Sequence, residues 1–571
     1  MQLDSLITTL TRVRTIRPLD RLSQFVAALS PGDKLIAGAL GLLVFLASVA
    51  SIYALEQSLL VSEPTYGGTL TEGVVGSPRF INPLLALSDS DRDLTALVYA
   101  GLMGEDASGK LVPVLASGYT VSEDGKTYTF TLKEDATFSD GTPVSAEDVV
   151  YTVQKAQDPA LKSPEYANWA GVSAEATDVR TVVFRLGKPY APFLENTTLG
   201  ILPAYLWKDV SDEEFAFSDL NTAPVGAGPF TLDDVKKNSS GIVKEIDLAA
   251  NEDYILGRPY LAGITFLFYG EQADLADAVA KGAVESAYGV PSGSMVEAPY
   301  SRVFGVFFNQ DENPVFTHIE VRKALSVAID REKIASDVLG GFATPLAGPV
   351  PPGSGVRETP VPTSTDRIAE AKDILTRNGW AYDEEAREWK QAKANAVLSV
   401  TLKTSNVPEL KAVASAVKED WEALGVPVTV ELYEPGDLTQ NVIRPRNYDA
   451  LLFGMVIGRD RDLYAFWDSA ERNDPGLNIA LYANKSVDTL LEAARATSDQ
   501  AEASEDLAKA AQLIAEDYPA AFTHAPEFVY TIPKGLHGVA LPQIAAPSDR
   551  FAGVTGWYLK TERVWPFLAD K

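Results

Sequence analysis

Between residues 317 and 345 apolar and polar positions recur with helical spacing. Val321, Ala324, Leu325, Ala328 and Ile329 fall at i, i+3, i+4, i+7 and i+8, so one side of the predicted helix is apolar and must face a core. Asp330 then stands as the N-cap of a second short helix, Arg331 to Leu339, and Gly340-Gly341 ends it by supplying the left-handed conformation of a C-cap. Arg322 and Arg331 flank the bend and read as solvated or ion-paired arginines.

The same reading extends outward. Leu94, Leu97, Val98 and Leu102 predict a packed helix over 93–102. After the Asp124-Gly125 turn, Tyr128, Phe130 and Leu132 alternate with polar residues as in a half-buried strand, and Ser145 to Asp148 forms a capping box opening a helix. A strand at Val397 to Leu402, an amphipathic helix at Glu409 to Leu424 stopped by Gly425, and a strand at Val428 to Leu432 make a βαβ unit with parallel strands. Tyr448 to Val456 is mostly apolar and should lie deep in the sheet. Ser486 is the expected cap of the next helix, and another follows at Ala503 to Asp517. The fold class is therefore α/β, and 571 residues exceed one core, since single cores stop growing near ~250–300 residues.

One stretch fits no soluble element. Leu35 to Leu55 carries no charge over its whole length and can span a hydrocarbon core of ~30 Å. Before it stand Arg12, Arg14, Arg17, Arg21 and Lys34 against Asp4, Asp20 and Asp33, an excess that the positive-inside rule keeps in the cytoplasm. Everything after Leu55 then lies outside. Cleavage as a signal peptide at Ser48-Val49-Ala50 is the competing reading, but the preceding basic region is long for one. A buried core helix would show a polar face, and none recurs here.

Charge and residue inventory remove several functions. A net charge of −29 argues against nucleic acid, whose phosphates need clustered Lys and Arg. There is no cysteine, and His318, His524 and His537 are the only histidines, so no metal site, Cys nucleophile or HExxH motif is expected. Gly104 to Lys110 has P-loop spacing, yet Leu111 replaces the magnesium-binding hydroxyl, and a hairpin loop is expected. Asp89, Asp91 and Asp93 imitate a calcium loop, but Leu94 stands where Gly is required.

The motifs together resemble the family 5 extracellular solute-binding proteins, receptors of peptide and nickel ABC importers. Asn309, Pro314, Val321 to Arg331 and Gly340-Gly341 match the family's V-R-x-A-L-x-x-A-I-D-R helix and its surroundings. Gly67 to Leu70, Asn82-Pro83-Leu84, Tyr99 to Leu102, the string from Asp124 to Val149, Pro224 to Phe230 and Asn478 to Leu491 match further blocks. The resemblance implies a bilobal, type II periplasmic-binding-protein-like α/β fold with an extra subdomain, preceded here by one transmembrane helix. The expected division is a cytoplasmic segment 1–34, an anchor 35–55, a linker 56–66, a first lobe 67–300 with its subdomain at about 104–200, a second lobe 301–522, and a return to the first at 523–571.

By the same resemblance Gly454, Met455 and Val456 line the ligand, and Asp460 or Asp462 receives a peptide ammonium; Ser88 and Asp89 are further contact candidates, with a solvated loop as the bland alternative. The implied function is a non-enzymatic, membrane-anchored receptor, monomeric and without cofactor. It takes a peptide or similar solute in a cleft, closes, and docks on an ABC permease. A ligand sensor or scaffold without transport, and a membrane-anchored glycosidase using paired carboxylates, are the alternatives. A tryptophan at Gly454 should block binding without unfolding the chain.

Overall fold

The computed structural model describes residues 25, 27–362, 366–391, 396–458, 461–497 and 499–566. The chain divides into two compact units, residues 1–65 with 561–571, and residues 66–560. The first unit holds the helix Pro31–Leu59. Its Asp33 side chain accepts from the Ser30 hydroxyl at 2.7 Å, and Pro31 occupies the first turn, where its missing N–H costs nothing. None of the apolar segment Pro31–Leu55 is buried, which removes the reading as a core helix. Val61–Thr65, inside the expected linker, is a strand paired with Lys560–Val564.

The second unit is built on one long mixed sheet. Its order is Val428–Tyr433, Val400–Ser405, Ala450–Val456, Arg302–Phe308, Ala520–Thr531, Ser286–Tyr288, Thr69–Val75, Gly263–Tyr269, Val243–Ala250 and Phe230–Lys237. The expected βαβ unit is present: Val400–Ser405 runs parallel to Val428–Tyr433, joined by the helix Pro408–Leu424, which Gly425 ends at φ +94°. Ala450–Val456 lies inside the sheet between Val400–Ser405 and Arg302–Phe308, as its apolar run predicts.

The twelve-residue strand Ala520–Thr531 lies at the middle of the sheet and joins its two halves. Its first half pairs with Arg302–Phe308, from Phe307↔Ala520 to Phe304↔His524, and its second half with Met295–Pro299, from Pro299↔Glu527 to Met295↔Thr531. Pro526, unable to donate to a ladder, falls at the changeover. Side chains follow the same division. One core gathers residues from Leu70 to Ala298 together with Phe528 to Trp557, whereas two others draw on residues from Val303 to Ala525.

A smaller antiparallel sheet, ordered Ala116–Val121, Thr127–Leu132, Thr181–Arg185, Ser173–Ala176, carries the helix Ala146–Ala156. Asp148 accepts from the Ser145 backbone at 2.8 Å, as the capping box requires, and its other oxygen takes the Ala204 N–H. Trp169, Phe184 and Phe193 meet with ring centroids 5.6 Å apart in each pair and fix the segment that leads to Tyr190 and Ala191.

Several local expectations need correction. The early helix is Asp89–Val98 rather than 93–102, because Ser88 caps it and Tyr99 is already extended. Beyond it the chain is pressed against the glycine-rich stretch: a Cβ on Gly226 would stand 2.1 Å from the Val98 carbonyl and one on Gly228 2.4 Å from that of Leu97. Asn484, not Ser486, caps the helix Lys485–Ala496. The short helix after Asp330 continues from Arg331–Lys333 into a π-helical turn, Ile334–Val338, before Gly340 and Gly341 end it at φ +65° and +85°. Arg322 and Arg331 are buried, and among the described residues neither forms an ion pair. Arg322 donates to the carbonyls of Tyr518, Phe316 and Asp517, and Arg331 to those of Leu346, Phe522 and Ser326; burial pulls the Arg331 guanidinium down to about 10. Each stitches backbone segments that sequence distance separates.

The fully buried Arg550 plays a comparable part under the sheet. Its Nη2 meets Glu72 at 2.9 Å and Asp93 at 2.7 Å, and all three side chains are buried. Two carboxylates share one guanidinium there, and burial pushes the Asp93 carboxyl up to about 6 despite that contact.

Candidate functional site

Two places bring together the residues expected to meet a ligand. The first is the floor where the long strand changes partners. Asp89, at the N-terminus of its helix, accepts from the Tyr288 hydroxyl at 2.9 Å. From Tyr288 a run of rings continues through Phe528 to Tyr300, with centroids 5.8 and 5.4 Å apart, and the Arg302 guanidinium lies 4.0 Å above the Tyr300 ring. Arg302 in turn pairs in register with Val456, which is exposed. Asp89 and Val456 thus stand at the two ends of one chain of contacts, which passes through the buried Phe528. Burial raises the Tyr300 phenol to about 12, Arg302 opposing that and Asp89 adding to it.

The other expected residues divide by role. Ser88 is committed to the helix cap, its Oγ accepting from Asp91 N–H at 3.1 Å. Met455 points into a core and is 3% exposed. Gly454 is covered: a Cβ there would sit 2.6 Å from the Phe304 ring, which stacks on His524 at 4.8 Å. On one side the strand Ala450–Val456 is fully paired with Arg302–Phe308; on the other its pairing stops at Lys403↔Leu451, which leaves the end toward Val456 without a ladder partner on that edge among the described residues. Asp460 lies outside the described residues.

Asp462 belongs to the second place, a cavity of about 680 Å³ walled on one side by residues of the 111–195 region and on the other by Arg461, Asp462 and the 494–507 region. Such a volume is within the ~300–1,000 Å³ of small-ligand sites. The two walls touch where Ala191 N–H donates to the Arg495 carbonyl at 3.0 Å. Arg495 also pairs with Asp462 at 2.5 Å and lies 3.8 Å from the Tyr464 ring centroid and 5.7 Å from that of Tyr190. Burial alone would weaken its hold on the proton, but the Asp462 carboxylate reverses that and holds the guanidinium above its ordinary value. Asp462 is therefore already engaged by a cation, and its other oxygen accepts from Tyr464 N–H at 3.0 Å. Sequence reasoning singled out Asp462 but not Arg495, because nothing local to Arg495 announces a partner 33 positions away.

Residues 110–474, more than half of the chain, match the model of the bacterial extracellular solute-binding proteins, family 5, middle region. The chain belongs to this family. Among relatives of this family 5 solute-binding protein, the oligopeptide-binding protein AppA of Bacillus subtilis is 26% identical over 501 residues, covering 83% of this chain and 89% of AppA. Protein XP55 of Streptomyces lividans is 30% identical over 447 residues, covering 75% and 78%. Of solved structures, the substrate-binding protein CtaP of Listeria monocytogenes superposes with a TM-score of 0.73 at 26% identity, over 87% of this chain and all of CtaP. AppA, solved in complex with a nonapeptide, gives 0.67 at 25% over 87% and all of its chain. The α/β architecture of this solute-binding protein is that of the type II periplasmic binding proteins.

Proposed function

We propose that this chain is the extracellular receptor of an ABC importer, taking short peptides between two α/β lobes and passing them to a permease. The lobes are residues 67–300 with the return at 523–571, and residues 301–522, the first carrying the subdomain at about 104–200. Membership of the solute-binding family supports the receptor role, and the relative AppA, named for oligopeptide binding and solved with a nonapeptide, supports a peptide as the solute.

The observation that carries the reading is the cavity bounded by both sequence regions and closed by the Ala191 to Arg495 main-chain bond. A guest that touches both walls favours the closed form by its differential affinity. Apart from that cavity, Val456 at the strand end and Asp89 at the helix start are the contacts offered on the floor, while Gly454, Met455 and Ser88 support them from within; the edge of Ala450–Val456 without a ladder partner offers main-chain groups to an extended guest. The guest leaves chemically unchanged. The helix Pro31–Leu55 serves as the anchor that keeps the receptor beside its permease, and the receptor works as a monomer.

Calorimetry of the full chain in detergent with alanine peptides of two to nine residues tests this. Binding of one peptide per chain, with the peptide recovered intact, is expected. Absence of binding across the series, or recovery of cleaved peptide, would overturn it.

A further inference from the structure

The cavity wall includes two arginines whose side chains are in unlike circumstances. Arg495 is matched by Asp462. Arg461 is not matched in that way: among the described residues its guanidinium donates to a carbonyl, that of Ser354, at 3.0 Å, and not to a carboxylate. Its backbone sits at φ +57°, a left-handed conformation that residues with a Cβ rarely adopt and that concentrates at ligand clamps. The seat is shaped for the side chain as well. Gly355, left-handed at φ +73°, leaves room where a Cβ would stand 3.2 Å from the Arg461 Nη1.

A guanidinium carries five N–H donors in a planar fork, and the Ser354 carbonyl accounts for one of them. The remainder fit a carboxylate, which accepts two parallel N–H bonds. Negative charge on the other wall is held at the Glu123-Asp124 turn and at Glu195, so the cavity lining combines Arg461 with acidic groups elsewhere. Asp462, the group expected to take an ammonium, is spent on Arg495.

We propose that Arg461 receives a carboxylate of the bound solute, so that the cavity selects its guest by an anionic group rather than by a free amine held at Asp462. This rests on the peptide-binding reading above. The carboxylate is either the chain terminus or an acidic side chain of the guest, and Arg461 is the specificity-determining residue in both cases.

The test measures binding of four probes to the full chain in detergent: tetra-alanine, its N-acetyl form, its C-terminal amide, and that amide with one alanine replaced by glutamate. Acetylation should leave affinity within about twofold, and amidation should weaken it at least about tenfold. Recovery by the glutamate-bearing amide assigns the contact to a side-chain carboxylate, and continued weakness assigns it to the terminus. Arg461→Gln and Arg461→Gly, the second relieving the left-handed backbone, should bind acid and amide alike while melting as the unchanged protein does. Equal affinity of the unchanged protein for acid and amide overturns the inference and leaves peptide binding standing. Failure of all four probes to bind overturns the peptide reading, and the inference with it.

Discussion

Arg495 reaches Asp462 at 2.5 Å with its side chain while its own carbonyl accepts the Ala191 N–H at 3.0 Å, so one residue joins the helix Lys485–Ala496 to both the 460 loop and the opposite cavity wall. Arg495→Ala removes the first connection and keeps the second. It removes the Arg495 guanidinium from the mostly buried Asp462 carboxylate, and should destabilise the protein by ~1–3 kcal/mol. A urea double-mutant cycle with Asp462→Asn should return a coupling of similar size; additive single effects would mean that the pair contributes nothing beyond its parts.

Gly454→Ala should be costly for a reason unconnected with a ligand. Its Cβ would fall 2.6 Å from the Phe304 ring, which must then leave its stack on His524. Overpacking of this kind costs ~1–3 kcal/mol. The tryptophan variant therefore loses stability as well as binding, contrary to the expectation from sequence. Chemical unfolding of Gly454→Ala alone and with Phe304→Ala checks the cause, since the second change should restore much of the loss.

His524 should make stability fall in acid. Burial holds its imidazole down to about 4 against an ordinary 6.5, so the unfolded chain takes up a proton between those values that the folded protein refuses. Its contribution is whole above pH 6.5 and declines as pH drops toward 4, by about 3 kcal/mol for this one group. Unfolding free energies of the protein and of His524→Gln, measured from pH 7 to 4, should diverge in that sense. A constant difference would show that the ring titrates normally.

Asp93 acts in the opposite direction. With its carboxyl up at about 6 against 3.8, the folded state holds a proton that the unfolded chain has released, so its contribution falls as pH rises from 3.8 to 6 and is level above. The difference between the protein and Asp93→Asn should follow that course. Arg550→Leu, which strands Glu72 and Asp93 together in the core, should cost ~3–5 kcal/mol at neutral pH.

The anchor is open to a mass measurement. The intact mass of the chain extracted from membranes should include the apolar segment Leu35 to Leu55; a mass beginning at Ser51 would mean cleavage after Ala50 and release from the membrane.

Local chemistry was readable along the chain, and long-range chemistry was not. The stripe at Val321, Ala324, Leu325 and Ala328, the Asp330 cap, the Ser145 box and the βαβ unit each depend on residues within a few positions of one another, and each is present. Period and capping are written in adjacent letters. Arg550 meets partners 457 and 478 positions away, and no pattern near it distinguishes it from a surface arginine. Arg322 and Arg331 misled for the same reason, since their partners are carbonyls that every residue possesses. At the candidate site, strand end and loop are singled out only by their resemblance to a family segment. The engagement of Asp462 by Arg495 and the covering of Gly454 by Phe304 are packing events that a linear motif does not encode.

Ala520–Thr531 carries one further implication. Because a single strand is hydrogen-bonded to both halves of the sheet, relative rotation of those halves must be taken up as torsion of its backbone around His524 to Glu527, in parallel with the neighbouring pass from Pro299 to Arg302. Two such bars side by side permit twisting and bending but resist sliding, so the opening and closing of the proposed receptor would follow a narrow set of paths and return to the same register each time.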